Sequence, residues 1–347
     1  MGIKVLIVDD SAFMRVTIAK MLSNDVDIEV VGTARNGLDA LKRIEKLQPD
    51  VITMDIEMPE LDGIATLKQL MADAPRPVIM LSSHTAAGAD LTMQALQCGA
   101  VDFMTKPVAR NIEQTTETLV GKVKAAASAV PKIIESGLKV PQQTPDSKLL
   151  SSARKVSQIL AMGTSTGGPQ ALSQVLRQLP GFIPCPILVV QHMPPKFTKA
   201  LANRLDAMCN IHVVEAVNNQ VLANGTAYIA PGDFHMQVVR DGGEYLIQLN
   251  QGAKRHEHRP SVDVLFESLA RLRDVPRHLV LMTGMGNDGA AGMLLAKQSG
   301  ATTIAESQQT CVVYGMPKAA IALECVDYVL PLHQIGQKLV DVTNAST

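Results

Sequence analysis

The stretch GTSTG at residues 163–167 follows the apolar run SQILAM, so Ser165 takes the central slot of G-x-S-x-G in a strand-to-helix turn, a setting that exposes a serine Oγ. A serine hydroxyl is a weak nucleophile at neutral pH until a base removes its proton. Among eight histidines, only His192 directly follows a long apolar run, PILVVQ, which puts it at the same sheet edge as Ser165. Asp288 follows a third such run within HLVLMTGMGN. A serine, an imidazole and a carboxylate at neighbouring strand ends are the parts of an acyl-transfer triad. Asp288 would hold the imidazole tautomer, leaving Nε2 of His192 to take the Ser165 proton. The chain order Ser, His, Asp differs from the Ser, Asp, His order of α/β-hydrolases, but geometry rather than order defines such a triad. Backbone N–H groups at the Ser165–Thr166 turn and in the Met285 loop are the candidate oxyanion donors. No metal is expected for this step.

The same residues admit other readings. Glycine-rich strand-to-helix turns also bind phosphate, although no Gly-Lys-Ser/Thr follows Ser165 and a Walker loop is excluded. Gly284, Gly286 and Gly289 in TGMGNDGAAG match G-x-G-x-x-G, and Glu306 lies about twenty residues further on, as a dinucleotide-binding dehydrogenase would have it. That reading leaves Ser165 and His192 as coincidences. His256 and His258 in KRHEHRP lack metal spacing and are expected at a polar surface, with substrate contact as the alternative. His84, His212, His235, His278 and His333 join no constellation.

A second group occupies the first half. Asp9 and Asp10 close KVLIV, Asp55 closes VITM, Ser82 closes PVIML, and Lys106 follows VDFMT. At one sheet edge, three carboxylates would repel one another without a cation, and oxygen-only ligands suit Mg²⁺. A lysine and a hydroxyl beside them could neutralise and hydrogen-bond a phosphoryl group carried by Asp55. Asp and Ser also cap helices after strands, which is the plainer reading of any one of them.

These groups need elements to position them. Residues up to about 120 alternate short apolar runs with amphipathic stretches such as NGLDALKRIEKL, the βα rhythm of a parallel sheet. Between about 125 and 152, Pro, Gln, Ser and Lys replace that periodicity, which predicts a linker with one short helix. A second βα series follows, in which MQVVRDGGEYLIQL predicts a β-hairpin. The chain of 347 residues has net charge -1 and no long single-sign run, so it lacks the electrostatic footprint of nucleic-acid binding. Five scattered cysteines without C-x-x-C predict neither a disulfide framework nor a zinc knuckle, and fit a cytoplasmic protein. No apolar run approaches a membrane span, and IKVLIV is too short for a signal peptide.

VLIVDDSAFMR, DVITMDIEMPELDG and DFMTKP resemble the receiver domain of two-component response regulators over residues 1 to about 122. The resemblance implies phosphorylation of Asp55 by a histidine kinase, Mg²⁺ held by Asp9, Asp10 and Asp55, and a switch through Ser82 and Phe103, with Lys106 on the phosphoryl group. MGTSTGGPQAL, VVQHMPPKFTKALANRL, YIAPGDFHM, RPSVDVLFESLA, TGMGNDGAAGMLLAK and CVVYGMPKAA, together with that receiver, are similar to the CheB family of chemotaxis protein-glutamate methylesterases. ESQQT at 306–310 departs from the family, being less acidic. The implied layout is a receiver at 1–122, a linker at 123–152 and a methylesterase domain at 153–345. The implied fold class is α/β, with two doubly wound, mostly parallel sheets: a flavodoxin-like receiver and a Rossmann-like catalytic domain with a β-hairpin. The resemblance also implies hydrolysis of glutamyl methyl esters on chemoreceptor cytoplasmic helices, deamidation of receptor glutamines, a chemotaxis kinase as phosphodonor, and an unphosphorylated receiver that covers the catalytic edge. A phosphorylation-gated binding module without an assembled triad, and a receiver-gated esterase acting outside chemotaxis, are the remaining alternatives.

Overall fold

The computed structural model describes residues 2–107, 112–129 and 155–345, and the chain divides into two compact units, Met1–Leu138 and Lys139–Thr347. Of the expected linker at 123–152, residues 123–127 instead continue the helix Ile112–Ala127, and 130–152 fall outside the described residues.

The first unit is a five-stranded sheet in the order β2-β1-β3-β4-β5, parallel throughout. Its strands are β1 (Ile3–Val8), β2 (Ile28–Ala34), β3 (Val51–Asp55), β4 (Val78–Ser82) and β5 (Asp102–Thr105). The connecting helices are α1 (Ala12–Leu22), α2 (Gly37–Leu47), α3 (Gly63–Asp73) and α4 (Ala86–Gln97), followed by α5 (Ile112–Ala127). Every residue of β3 and β4 is buried, as helices on both faces of a parallel sheet require, and that is why these strands are continuous apolar runs. Local chemistry fixes the helix starts: Ser11, Asn36, Asp62 and Thr85 each accept a backbone N–H of the first turn. Val8 pairs with Met54, Asp55 with Leu81 and Ser82 with Thr105, so the polar residues at these strand ends share one edge. Strand order reverses between β1 and β3, where doubly wound sheets place their ligands.

The second unit has a seven-stranded parallel sheet in the order β14-β13-β12-β6-β7-β9-β8 and a separate antiparallel pair. The strands are β6 (Ile159–Thr164), β7 (Ile187–Gln191), β8 (His212–Glu215), β9 (Thr226–Ile229), β12 (Arg277–Leu281), β13 (Thr302–Glu306) and β14 (Tyr328–Leu330). Helices α6 (Gly168–Leu176), α7 (Phe197–Met208), α8 (Val262–Ala270), α9 (Ala290–Gln298), α10 (Met316–Ala322) and α11 (Leu332–Ala345) complete it. The expected hairpin forms from β10 (His235–Asp241) and β11 (Glu244–Asn250), with Asp241 opposite Glu244. Gly242 and Gly243 both take positive φ, the geometry that a two-residue turn between twisted strands demands. The hairpin is pinned to α8 by a bond from Val238 N–H to Ser268 Oγ at 3.0 Å. Phe266, Leu265 and Leu269 of α8 share a core with Leu279, Leu281 and Met293, so α8 is held firmly over the sheet. All five cysteines are free. No helix among the described residues is long and apolar enough to cross a membrane.

Candidate functional site

Ser165, His192 and Asp288 stand beyond the carboxyl ends of β6, β7 and β12, three adjacent strands. The register pairs Thr164 with Gln191, and His192 N–H bonds Thr164 O at 3.2 Å, so the next residues of the two strands, 165 and 192, leave the sheet side by side. The turn after β6 is tight. Gly167 has φ +76°, and a Cβ on Gly168 would collide with Gln191 Oε1. That glutamine braces the turn through bonds to Thr164 Oγ1 (2.6 Å) and Ser165 O (2.9 Å). A Cβ built on Gly284 would lie 2.8 Å from Ser165 Cβ, so the loop after β12 passes directly against the serine.

The histidine is turned differently from the sequence expectation. Nε2, expected to face Ser165, instead meets Asp288 Oδ2 at 2.7 Å, while Nδ1 is buried and makes no hydrogen bond among the described residues. Asp288 is held at the start of α8 by the Val262 and Asp263 amides, and Nε2, the ring nitrogen further from the backbone, is the one that meets it. His258 stacks on the His192 ring with centroids 3.9 Å apart and planes 17° apart, restricting rotation of the imidazole.

Asp288 is fully engaged. Its Oδ1 accepts from Ser261 Oγ (2.8 Å) and Asp263 N–H (3.0 Å), and its Oδ2 accepts from Val262 N–H (2.7 Å) besides His192. The carboxylate therefore caps α8 from another part of the chain, where the helix dipole favours negative charge. Burial pushes its pKa up, but the His192 ring and the two amides outweigh that and hold it below the usual carboxylate range. Asp263, whose N–H donates to Asp288, bonds His256 Nε2 (2.9 Å) and Gly292 N–H (2.7 Å) through its own carboxylate. Burial, and then the neighbouring Asp288 charge, raise Asp263 against those bonds.

The proposed oxyanion donors separate. Ser165 N–H, at the turn from which a donor was expected, instead bonds Thr283 O at 3.0 Å, which fixes the serine against β12. Thr166 is buried, and its carbonyl accepts from Thr283 Oγ1 at 2.9 Å. Met285 is 41% exposed. The glycine fingerprint does occupy a strand-loop-helix turn between β12 and α9, yet its close approaches are to protein: Gly284 against Met316 and Ser165, Gly289 against Val262. Glu306 is fully buried and accepts from Thr283 N–H at 2.9 Å, so it buttresses the loop instead of facing a ribose.

In the first unit, Asp9, Asp10 and Asp55 bring carboxylate oxygens within 4.8 Å of one another, and Lys106 Nζ lies 2.7 Å from Asp55 Oδ2 and 3.0 Å from Asp9 Oδ2. Burial pushes Asp55 up to about 6 against the Lys106 ammonium. Ser82 Oγ donates to Gly88 O at 3.0 Å and accepts from Thr92 Oγ1 at 2.8 Å, both in α4. Phe103 is buried.

The family profile described as CheB methylesterase matches residues 160–339, and that of the response regulator receiver domain matches residues 5–116. A protein named protein-glutamate methylesterase/protein-glutamine glutaminase from Halalkalibacterium halodurans is 47% identical over 97% of each chain, and one of the same name from Geobacillus kaustophilus is 48% identical over 98% of each. The chain belongs to the CheB family. The crystal structure of the Thermotoga maritima CheB methylesterase catalytic domain is 42% identical to this chain, with a TM-score of 0.52, covering 54% of this chain and 98% of that one.

Within this CheB frame, the oxygen-only set of Asp9, Asp10 and Asp55 fits the Mg²⁺ that receiver domains bind for phosphorylation. Sequence reasoning missed Ser261 and expected His258 at a polar surface, whereas His258 stacks on His192. His258 and Ser261 sit in HEHRPSVD, and a serine just before the apolar run VDVLF is a visible helix-start signal. That start marks α8, and α8 carries the cap on which Asp288 rests.

Proposed function

We propose that Ser165, His192 and Asp288 carry the chemistry of this CheB chain, a protein-glutamate methylesterase and protein-glutamine glutaminase. Ser165 Oγ attacks the γ-carbonyl of a glutamyl methyl ester or a glutamine on a chemoreceptor cytoplasmic helix while His192 Nδ1 takes its proton. Asp288 keeps the other proton on Nε2 and stabilises the imidazolium. In this reading the Met285 amide serves as the oxyanion donor, because the neighbouring Gly284 backbone passes against Ser165. His192 then returns its proton to the leaving methanol or ammonia. Water, deprotonated by the same nitrogen, hydrolyses the acyl-enzyme and frees Ser165. The observation that carries this reading is the 2.7 Å bond between His192 Nε2 and Asp288, with Nδ1 buried and unpartnered at the strand end beside Ser165.

Asp55 is the phosphoacceptor, and a histidine kinase of the chemotaxis system is the donor. When bound, Mg²⁺ supplies countercharge to the phosphoryl oxygens; Asp9, Asp10 and Asp55 would hold it. Lys106 pairs with Asp55 before modification and is in reach of the phosphoryl group after it. Ser82 must leave Gly88 and Thr92 to hydrogen-bond that group, which couples Asp55 to the start of α4. Phosphorylation relieves inhibition of the catalytic unit by the receiver. Methanol release from methylated chemoreceptor, measured with and without a small phosphodonor, tests substrate and switch together. Ser165→Ala is expected to abolish release in both conditions, and near-wild-type release would refute the nucleophile assignment.

A further inference from the structure

Ser261 stands at the N-cap of α8 with extended backbone, φ -117° and ψ 139°, yet its side chain makes no bond to its own helix. A serine at this position ordinarily accepts an N–H of the first turn. Here Asp288 takes the Val262 and Asp263 amides, and the fully buried Ser261 hydroxyl is turned away to donate to Asp288 Oδ1 at 2.8 Å. A carboxylate has about four accepting positions. Ser261 fills the last of them, since Oδ1 holds Ser261 Oγ and Asp263 N–H while Oδ2 holds Val262 N–H and His192 Nε2.

We propose that Ser261 is a positioning residue for the esterase reaction, locking the Asp288 carboxylate in the orientation that holds His192 and limiting how strongly it binds the imidazolium; this rests on the triad reading above. With four donors in place, the carboxylate has one orientation, and negative charge is shared between its two oxygens. Without the Ser261 hydroxyl, Oδ1 keeps a single donor, the carboxylate can rock, and it becomes a stronger acceptor for His192. The charged and titratable neighbours do not take over the role. His258 stacks on the His192 ring, Asp263 is engaged by His256 and Gly292, and Arg255 pairs with Glu267.

The test measures methanol release from methylated chemoreceptor by the full chain with a phosphodonor, for Ser261→Ala, Ser261→Cys and a Ser165→Ala control. Ser261→Ala is expected to lower kcat roughly tenfold with KM within about twofold, the split of an interaction made only in the transition state. Ser261→Cys, which keeps the shape and a weak donor, should fall between Ala and wild type. Thermal midpoints should change little, since Asp288 still caps α8. Wild-type kcat in Ser261→Ala, or a loss carried by KM instead of kcat, with Ser165→Ala inactive, would overturn the Ser261 role alone. A loss of activity that only tracks a lost folded fraction in both Ser261 variants would also overturn it. Activity retained by Ser165→Ala would overturn the triad reading itself.

Discussion

Asp288→Asn isolates charge from shape. The carboxylate is surrounded by four donors, two on each oxygen, whereas an amide presents one acceptor and one NH₂. If the amide oxygen replaces Oδ1, the NH₂ faces the Val262 N–H and His192 Nε2, and the ring can adapt only by moving its proton to Nδ1, the nitrogen needed as base. If the oxygen replaces Oδ2, the NH₂ faces the Asp263 N–H, while the Ser261 hydroxyl can reverse and accept. Either way one buried backbone N–H opposes another donor, costing about 1–3 kcal/mol. Loss of the negative charge at the α8 N-terminus costs up to about 2 kcal/mol more. For a unit of this size that lowers the thermal midpoint by roughly 2–20 °C. The imidazolium also loses its counter-ion. At an effective dielectric constant of about 20, unit charges about 4 Å apart interact by about 4 kcal/mol, roughly a thousandfold in rate. Tautomer inversion in a serine triad costs about 10⁴. The expected fall in kcat is therefore between about 10² and 10⁴ with KM little changed, read as methanol release from methylated receptor. Because Asp288 is held below its ordinary pKa, its stabilising contribution is present above the unfolded value of about 4 and is lost as pH falls toward the folded value. The stability gap between wild type and Asp288→Asn should thus narrow in strong acid. A kcat within tenfold of wild type at neutral pH would refute the triad, and a gap that widened in acid would refute the electrostatics.

Asp55→Asn should stabilise the receiver at neutral pH, because the folded-state pKa is raised to about 6. A raised carboxyl contributes stability only below its unfolded value of about 4 and loses it as pH rises through about 6, leaving a cost on the order of 1–3 kcal/mol at pH 7. Scanning calorimetry of the full chain should show the receiver transition move up at pH 7, with the difference vanishing near pH 4; an unchanged transition at pH 7 would contradict it. Gly284→Ala should displace Ser165 or Met316, since the added Cβ collides with Met316 Sδ and lies 2.8 Å from Ser165 Cβ. A misplacement of that kind costs on the order of 10²-fold in kcat, and trimming Met316 to Ala in the same chain should recover part of it. If the double variant is no faster than Gly284→Ala, the collision is not the cause.

Periodicity and short motifs carry the positions of Ser165, His192, Asp288, Asp9, Asp55, Ser82 and Lys106, because each follows an apolar run and a parallel sheet sends all such residues to one edge. The hairpin at Gly242 and Gly243 was equally legible, since a two-residue turn depends on neighbouring residues alone. The ambiguity of GMGNDG was also a local fact: three glycines specify close approach of the backbone and leave open what approaches. Tertiary structure decided that Gly284 approaches Ser165, that Glu306 is buried under Thr283, and that Thr283 O takes the Ser165 amide. It also decided which imidazole nitrogen meets Asp288 and brought His258 onto the ring. These contacts join segments remote in sequence, and they depend on strand register and on how α8 docks. The sequence by itself determined which groups reach the strand ends; packing across those ends determined which atoms of those groups meet.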